Sequence, residues 1–146
     1  MVALADLGEK LYLDTNIFIY LVEGHPTFAQ PLSALFERLE LDVVQAVTSE
    51  LSIAEVLVKP IRDNKPTLVD IYKRLLDPAS KIRTLPIDRA TLLSSADARA
   101  RFGGRAFDAI HVATALLAGC TCFITNDEGI RGPTTLRIVR LSELMN

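Results

Sequence analysis

Short apolar runs alternate along this chain with longer stretches whose apolar residues repeat at helical spacing, and that alternation narrows the possible folds more than any other feature. Leu11-Tyr12-Leu13, Val43–Val47, Lys81–Leu85, Thr121–Thr125 and Leu136–Leu141 read as strands. Between them, Thr15 to about Glu23 reads as a helix ended by Gly24 and Pro26. Phe28–Leu41 places Leu32, Leu35, Phe36 and Leu39 on one helical face. Thr48 or Ser49 can cap a helix to about Val58, before Pro60, and a further helix over Pro66–Leu76 is capped near Asn64 and stopped by Pro78. Asp88 caps a helix reaching about Phe102, which Gly103-Gly104 terminates, and Arg105–Leu117 closes at Gly119. Strands joined by helices run parallel, with helices covering both faces. Right-handed crossovers then leave doubly wound forms. The expected fold is α/β, a single domain over residues 1–146.

Composition excludes several classes. A chain of 146 residues, 49% apolar and 23% charged, can bury its own core and is not disordered. No apolar run approaches the ~20 residues that span a bilayer. The start, Met1 to Asp6, has no basic region of a signal peptide. A cytoplasmic protein without a membrane partner is expected. Cys120 and Cys122 form a C-x-C without a second pair at zinc spacing, and read as small buried apolar groups. The net charge of −2 argues against a basic nucleic-acid coat. It leaves open a carboxylate site whose charge bound cations would offset.

Ligands of an open α/β sheet bind beyond the carboxyl ends of its strands. Asp14 directly follows the first strand, and Asp127 follows Cys122-Phe123-Ile124-Thr125 by one residue. Asp108 lies in the first turn of the helix that leads back into that strand, so its end faces the same edge. Glu55 sits about two turns into the helix leaving the second strand. Each acid also has a plainer role. Asp14 and Asp127 can cap a helix or turn, Asp108 can favour a helix dipole, and Glu55 can be a surface charge. Yet Glu55 stands within Ser52-Ile53-Ala54-Glu55-Val56-Leu57-Val58, where an unpaired buried acid would cost several kcal/mol, roughly 2–7 for a polar group and more for a charge. Four plain roles converging on one edge is a poorer account than one site.

Four segments resemble the motifs of the PIN domain family, and within it the VapC-type toxins. They are Leu13-Asp14-Thr15-Asn16-Ile17-Phe18-Ile19-Tyr20, Ser52-Ile53-Ala54-Glu55-Val56-Leu57, Phe107-Asp108-Ala109-Ile110-His111-Val112-Ala113-Thr114-Ala115 and Phe123-Ile124-Thr125-Asn126-Asp127. The resemblance spans nearly the whole chain in the right order. It implies a three-layer sandwich around a five-stranded parallel sheet of order 3-2-1-4-5. It also implies a divalent-metal-dependent ribonuclease, commonly a toxin paired with an antitoxin protein; the apolar stripes of Phe28–Leu41 and Pro66–Leu76 are mostly core, with one of them a candidate face for a homodimer. The family's acidic positions fall on Asp14, Glu55, Asp108 and Asp127, with Thr15 and Asn16 supporting them. Glu128 beside Asp127, and Glu50 near Glu55, remain alternatives for their neighbours.

Hard cations such as Mg²⁺ or Mn²⁺ take oxygen ligands and assist phosphodiester hydrolysis. Asp14 and Asp108 are the expected principal ligands, Asp127 binds directly or through water, and Glu55 orients water or a second metal. Among the basic residues Lys59, Arg62, Lys65, Arg101 and Arg105, the last is the preferred RNA contact, and His111, one turn beyond Asp108, is a weaker one. A haloacid-dehalogenase-like phosphatase would need an acid where Asn16 stands, and a receiver domain an early acidic pair and a late Lys after a strand. A non-catalytic PIN-like module that binds RNA or protein remains as the alternative from another class, beside a nuclease that is not a toxin.

Overall fold

In the computed structural model, which describes residues 1–145 (for Met145 the backbone alone), six α-helices and seven strands are present among the described residues. In chain order they are β1 (Val2–Ala3), β2 (Lys10–Leu13), α1 (Thr15–Glu23), α2 (Ala29–Glu40), β3 (Gln45–Ser49), α3 (Leu51–Arg62), α4 (Pro66–Leu75), β4 (Ile82–Leu85), α5 (Arg89–Phe102), α6 (Ala106–Leu117), β5 (Cys122–Thr125), β6 (Arg137–Arg140) and β7 (Leu144–Met145). The central sheet has the order β4-β3-β2-β5-β6, and all its pairings are parallel. Leaving β1 uncounted, this is the expected 3-2-1-4-5. The order reverses between β2 and β5, so the crevice of a doubly wound sheet opens there.

Side-chain alternation along the strands divides the core in two. Leu11, Leu13, Ala46, Cys122 and Ile124 face α1–α4, where Ile17, Phe18, Leu32, Leu35, Val56 and Tyr72 pack on them. Tyr12, Val47 and Phe123 face the other way, toward Val112 and Ala115 of α6. Helix α5 packs against α6. The three-layer arrangement follows from these two faces. Both cysteines are free and buried, as expected of small apolar groups. No helix among the described residues is long and apolar enough to cross a membrane.

Three local expectations are corrected. Helix α3 does not stop before Pro60 but runs through it to Arg62. Proline there forfeits one hydrogen bond to Val56, yet its ring is buried, and packing holds the last turn. Asn64 does not cap α4. It adopts a left-handed conformation (φ 52°) and its N–H donates to Ile61 O (3.1 Å), so it closes α3, while Pro66 opens α4 at the first helical position. Glu55 is one turn, not two, from the start of α3, because that helix begins at Leu51. Ser49 does serve the helix start, its Oγ accepting from Leu51 N–H (3.0 Å). The two-residue pairing of β1 with β7, Val2 beside Leu144, has no counterpart in the sequence reading.

Candidate active site

Asp14 begins the site because β2 ends on it. Its N–H donates to Ile124 O of β5 (3.0 Å), which places it at the carboxyl edge where the strand order reverses. As N-cap of α1 its Oδ1 accepts from Thr15 N–H (2.8 Å), so the plain capping role is real and coexists with the site. Its Oδ2 accepts from Thr125 Oγ1 (2.7 Å) and from Asn16 Nδ2 (3.3 Å). The side chain is 7% exposed. Burial pushes the carboxyl above its usual range, against the pull of His111, Thr125 and the Thr15 N–H, and the charge of Glu55 adds to the rise.

Asp127 is joined to Asp14 through one hydroxyl. Thr125 Oγ1, which donates to Asp14, accepts from Asp127 N–H (3.0 Å). Asp127 Oδ1 accepts from Gly129 N–H (2.7 Å), so its turn-capping role is also real. Asn16 bridges the same loop, its Oδ1 accepting from Asn126 N–H (3.1 Å). Glu128 is exposed and joins none of these contacts. Asp108 stands in the first turn of α6 and is linked to Asp127 by Arg105, the N-cap residue of that helix. Arg105 Nε donates to Asp108 Oδ2 (2.8 Å), and its Nη2 donates to Asp127 Oδ2 (2.5 Å).

Glu55 is reached from α3 through a buried chain. Its Oε1 accepts from Thr15 Oγ1 (2.9 Å) and from His111 Nε2 (2.6 Å). With Nε2 donating, His111 Nδ1 accepts from Tyr12 O–H (2.6 Å), so one neutral tautomer satisfies the whole chain. His111 Nε2 is also 3.9 Å from Asp14 Oδ1. Burial alone would raise the Glu55 carboxyl, but the hydrogen bonds from His111 and Thr15, with the charge of Arg105, outweigh it and hold the group below its usual range. Ser52 Oγ lies 3.2 Å from Thr15 Oγ1 and 2.8 Å from Thr48 Oγ1, continuing the network below the acids. Glu50 precedes α3 and its side chain makes no capping bond there.

The structure therefore brings together Asp14, Glu55, Asp108 and Asp127 with Thr15, Asn16, Arg105 and His111 in one polar network. His111 differs from expectation in its setting. It is 1% exposed and both ring nitrogens are engaged inside the protein, which leaves none for RNA. Arg101 pairs with Asp97 on α5 and Arg62 with Asp63, away from the acids. Thr125, Tyr12, Ser52 and Thr48 are members that the sequence reading missed. The available signal was a hydroxyl at the end of an apolar strand or opening an apolar helix.

The donors are carboxylate, hydroxyl and amide oxygens without thiolate, the set a hard divalent cation takes. Among the described residues, however, no group of three His, Cys, Asp or Glu side chains stands close enough to hold a metal ion. The cation present between Asp108 and Asp127 is the guanidinium of Arg105. The donor chemistry fits Mg²⁺ or Mn²⁺, and the arrangement shown is one closed on an internal cation.

Comparison with known proteins gives one family and one fold. The PIN domain model matches residues 11–133. No curated protein sequence is significantly similar to this one. Among solved structures, FitAcB from Neisseria gonorrhoeae superposes with a TM-score of 0.66 at 19% identity, covering 92% of this chain and 99% of that one. A toxin–antitoxin complex from Klebsiella pneumoniae gives 0.63 at 20% identity over 86% and 94% of the two chains. VapBC-5 from Mycobacterium tuberculosis, of the VapBC family of toxin–antitoxin systems, gives 0.60 at 20% identity over 91% and 99%. At such identities the likeness is one of fold.

Proposed function

The chain belongs to the PIN domain family, and from that premise we propose that it is a divalent-metal-dependent ribonuclease, hydrolysing RNA phosphodiester bonds as the toxin of a type II toxin–antitoxin pair. The observation that carries this reading is the joining of four acids, drawn from separate elements, into one network at the sheet's carboxyl edge. Carboxylates gathered this way repel unless cations relieve them.

Asp14 and Asp108 would be the principal ligands of Mg²⁺ or Mn²⁺, with Asp127 binding directly or through water. The bound ion would supply charge relief at phosphorus and a more acidic water. The chain's own residues supply orientation. Thr125 and Thr15 N–H fix the two oxygens of Asp14. His111 and Thr15 fix Oε1 of Glu55 and keep it ionised, so its other oxygen can accept a proton from the attacking water. Asn16 holds the Asp127 loop against α1. Arg105 offers paired N–H donors to a phosphate.

Purified protein is expected to cleave single-stranded RNA with Mn²⁺ and not with excess chelator. Asp14→Asn and Asp108→Asn should each lower the rate by at least about 10²-fold. Full activity in both variants would end the assignment. The toxin reading is supported by fold neighbours that are toxin–antitoxin complexes. A short reading frame just upstream, whose product co-purifies with this chain and silences cleavage, is the expected partner; an isolated gene would favour a nuclease that is not a toxin. A homodimer is proposed on the same footing, testable by sedimentation. One observation favours a non-catalytic module instead, the lack of a ready three-ligand group among the described residues. Calorimetric titration separates the two, since that module would bind no divalent ion.

A further inference from the structure

Arg105 is an unusual tenant for a site built of acids. Its side chain is 73% exposed, yet its Nε and Nη2 are committed to Asp108 Oδ2 and Asp127 Oδ2. Those two carboxylates are far less exposed, 15% and 30%, so the guanidinium covers their open side. Its charge also reaches Glu55 and helps keep that carboxyl ionised. Its backbone is held by one bond, Ala109 N–H donating to Arg105 O (3.0 Å), but among the described residues its side chain makes no hydrogen bond other than those to the two acids. As the N-cap of α6 it makes no side-chain capping bond, and it follows Gly103 and Gly104, both at positive φ (79° and 91°), a turn that glycine adopts without strain.

We propose that Arg105 is a built-in counter-ion that competes with the divalent cation for Asp108 and Asp127 and withdraws when the cation binds. The proposal rests on the metal-dependent reading above. Three facts support it. The two acids bonded to Arg105 are among the three assigned as metal ligands, and among the described residues the one cation standing between them is its guanidinium. The pairs are exposed on the arginine side, so solvent screens them and a divalent ion can displace them. The guanidinium loses no packing when it swings out, because most of it already meets solvent. Once free, its planar donors lie at the mouth of the site, suited to a phosphate oxygen pair. The same residue then serves as internal cation without metal and as phosphate contact with it.

The test is calorimetric titration of Mn²⁺ into the apo protein, without RNA, for wild type, Arg105→Gln and Arg105→Lys. Arg105→Gln is expected to bind Mn²⁺ about tenfold more tightly, the combined effect of two exposed ion pairs. Arg105→Lys, which keeps the charge but loses the fork, should fall between. The gap between wild type and Arg105→Gln should shrink as NaCl rises, because the competitor is screened. A packing change would not give that salt dependence. Circular dichroism melting checks that each variant is folded. Equal or weaker Mn²⁺ binding by Arg105→Gln, with wild type binding normally, overturns the counter-ion role alone. No Mn²⁺ binding by any of the three overturns it together with the metal-dependent reading.

Discussion

Asp14 accepts three hydrogen bonds in a nearly closed pocket, and burial still pushes its carboxyl above the usual range. An acid shifted upward on folding binds more protons folded than unfolded. Stability therefore falls as pH rises from its unfolded value, about 3.9, through its folded one. Asp14→Asn is neutral at every pH and escapes that loss. In chelator, the urea midpoint of wild type minus that of Asp14→Asn should decline as pH rises above about 4. A flat difference would mean that the pocket bears the charge without penalty. The acids themselves were legible in the sequence, since a charge inside an apolar run asks for an explanation. The hydroxyls that hold them were not. Thr125 and Tyr12 read simply as good strand residues. Only the pairing of β2 with β5 shows that Thr125 points at Asp14.

At the scale of elements, the joint between β2, α3 and α6 is the chain Tyr12–His111–Glu55. His111 was visible as one turn from Asp108, and its helical position was right. Its burial was not foreseeable, because only the docking of α6 on the Tyr12 face of the sheet decides it. Tyr12→Phe removes one hydroxyl and leaves His111 Nδ1 without its partner in the core. The expected cost is about 1–2 kcal/mol, or a drop of several degrees in Tm. His111→Ala should cost more, since it removes the partner of the buried Tyr12 hydroxyl, takes one of two donors from Glu55 Oε1 and opens a cavity. Thermal melts that rank the two in the opposite order would show the chain to be incidental. Pro60 teaches a related lesson about boundaries. Proline disfavours a helix interior, yet the buried Pro60 ring packs well enough to carry α3 on to Arg62. Local propensity set the existence of every long helix here, while packing moved the ends.

The whole molecule turns on the reversal of strand order between β2 and β5. That order was open to sequence reasoning because alternation, parallel pairing and crossover handedness leave few topologies. The β1–β7 pair was not, since two residues carry no periodicity. The reversal brings Asp14, at residue 14, beside a loop more than a hundred residues later, so the site exists only when the sheet is complete. The proposed metal binding would then be linked to folding. An ion held by Asp14 at the end of β2, Asp108 of α6 and the loop after β5, as proposed, would bind the folded state and have no equivalent in the unfolded chain. At about 100 times its dissociation constant it would stabilise by about 2.7 kcal/mol. For a domain of this size that is a Tm rise of roughly 5–10 °C. Mn²⁺ should produce this rise in wild type and little or none in Asp14→Asn or Asp108→Asn, measured by calorimetric scans in metal and in chelator. An equal rise in all three would mean that the ion binds elsewhere. The four acids would then be the separate caps and surface charges that each can also be read as.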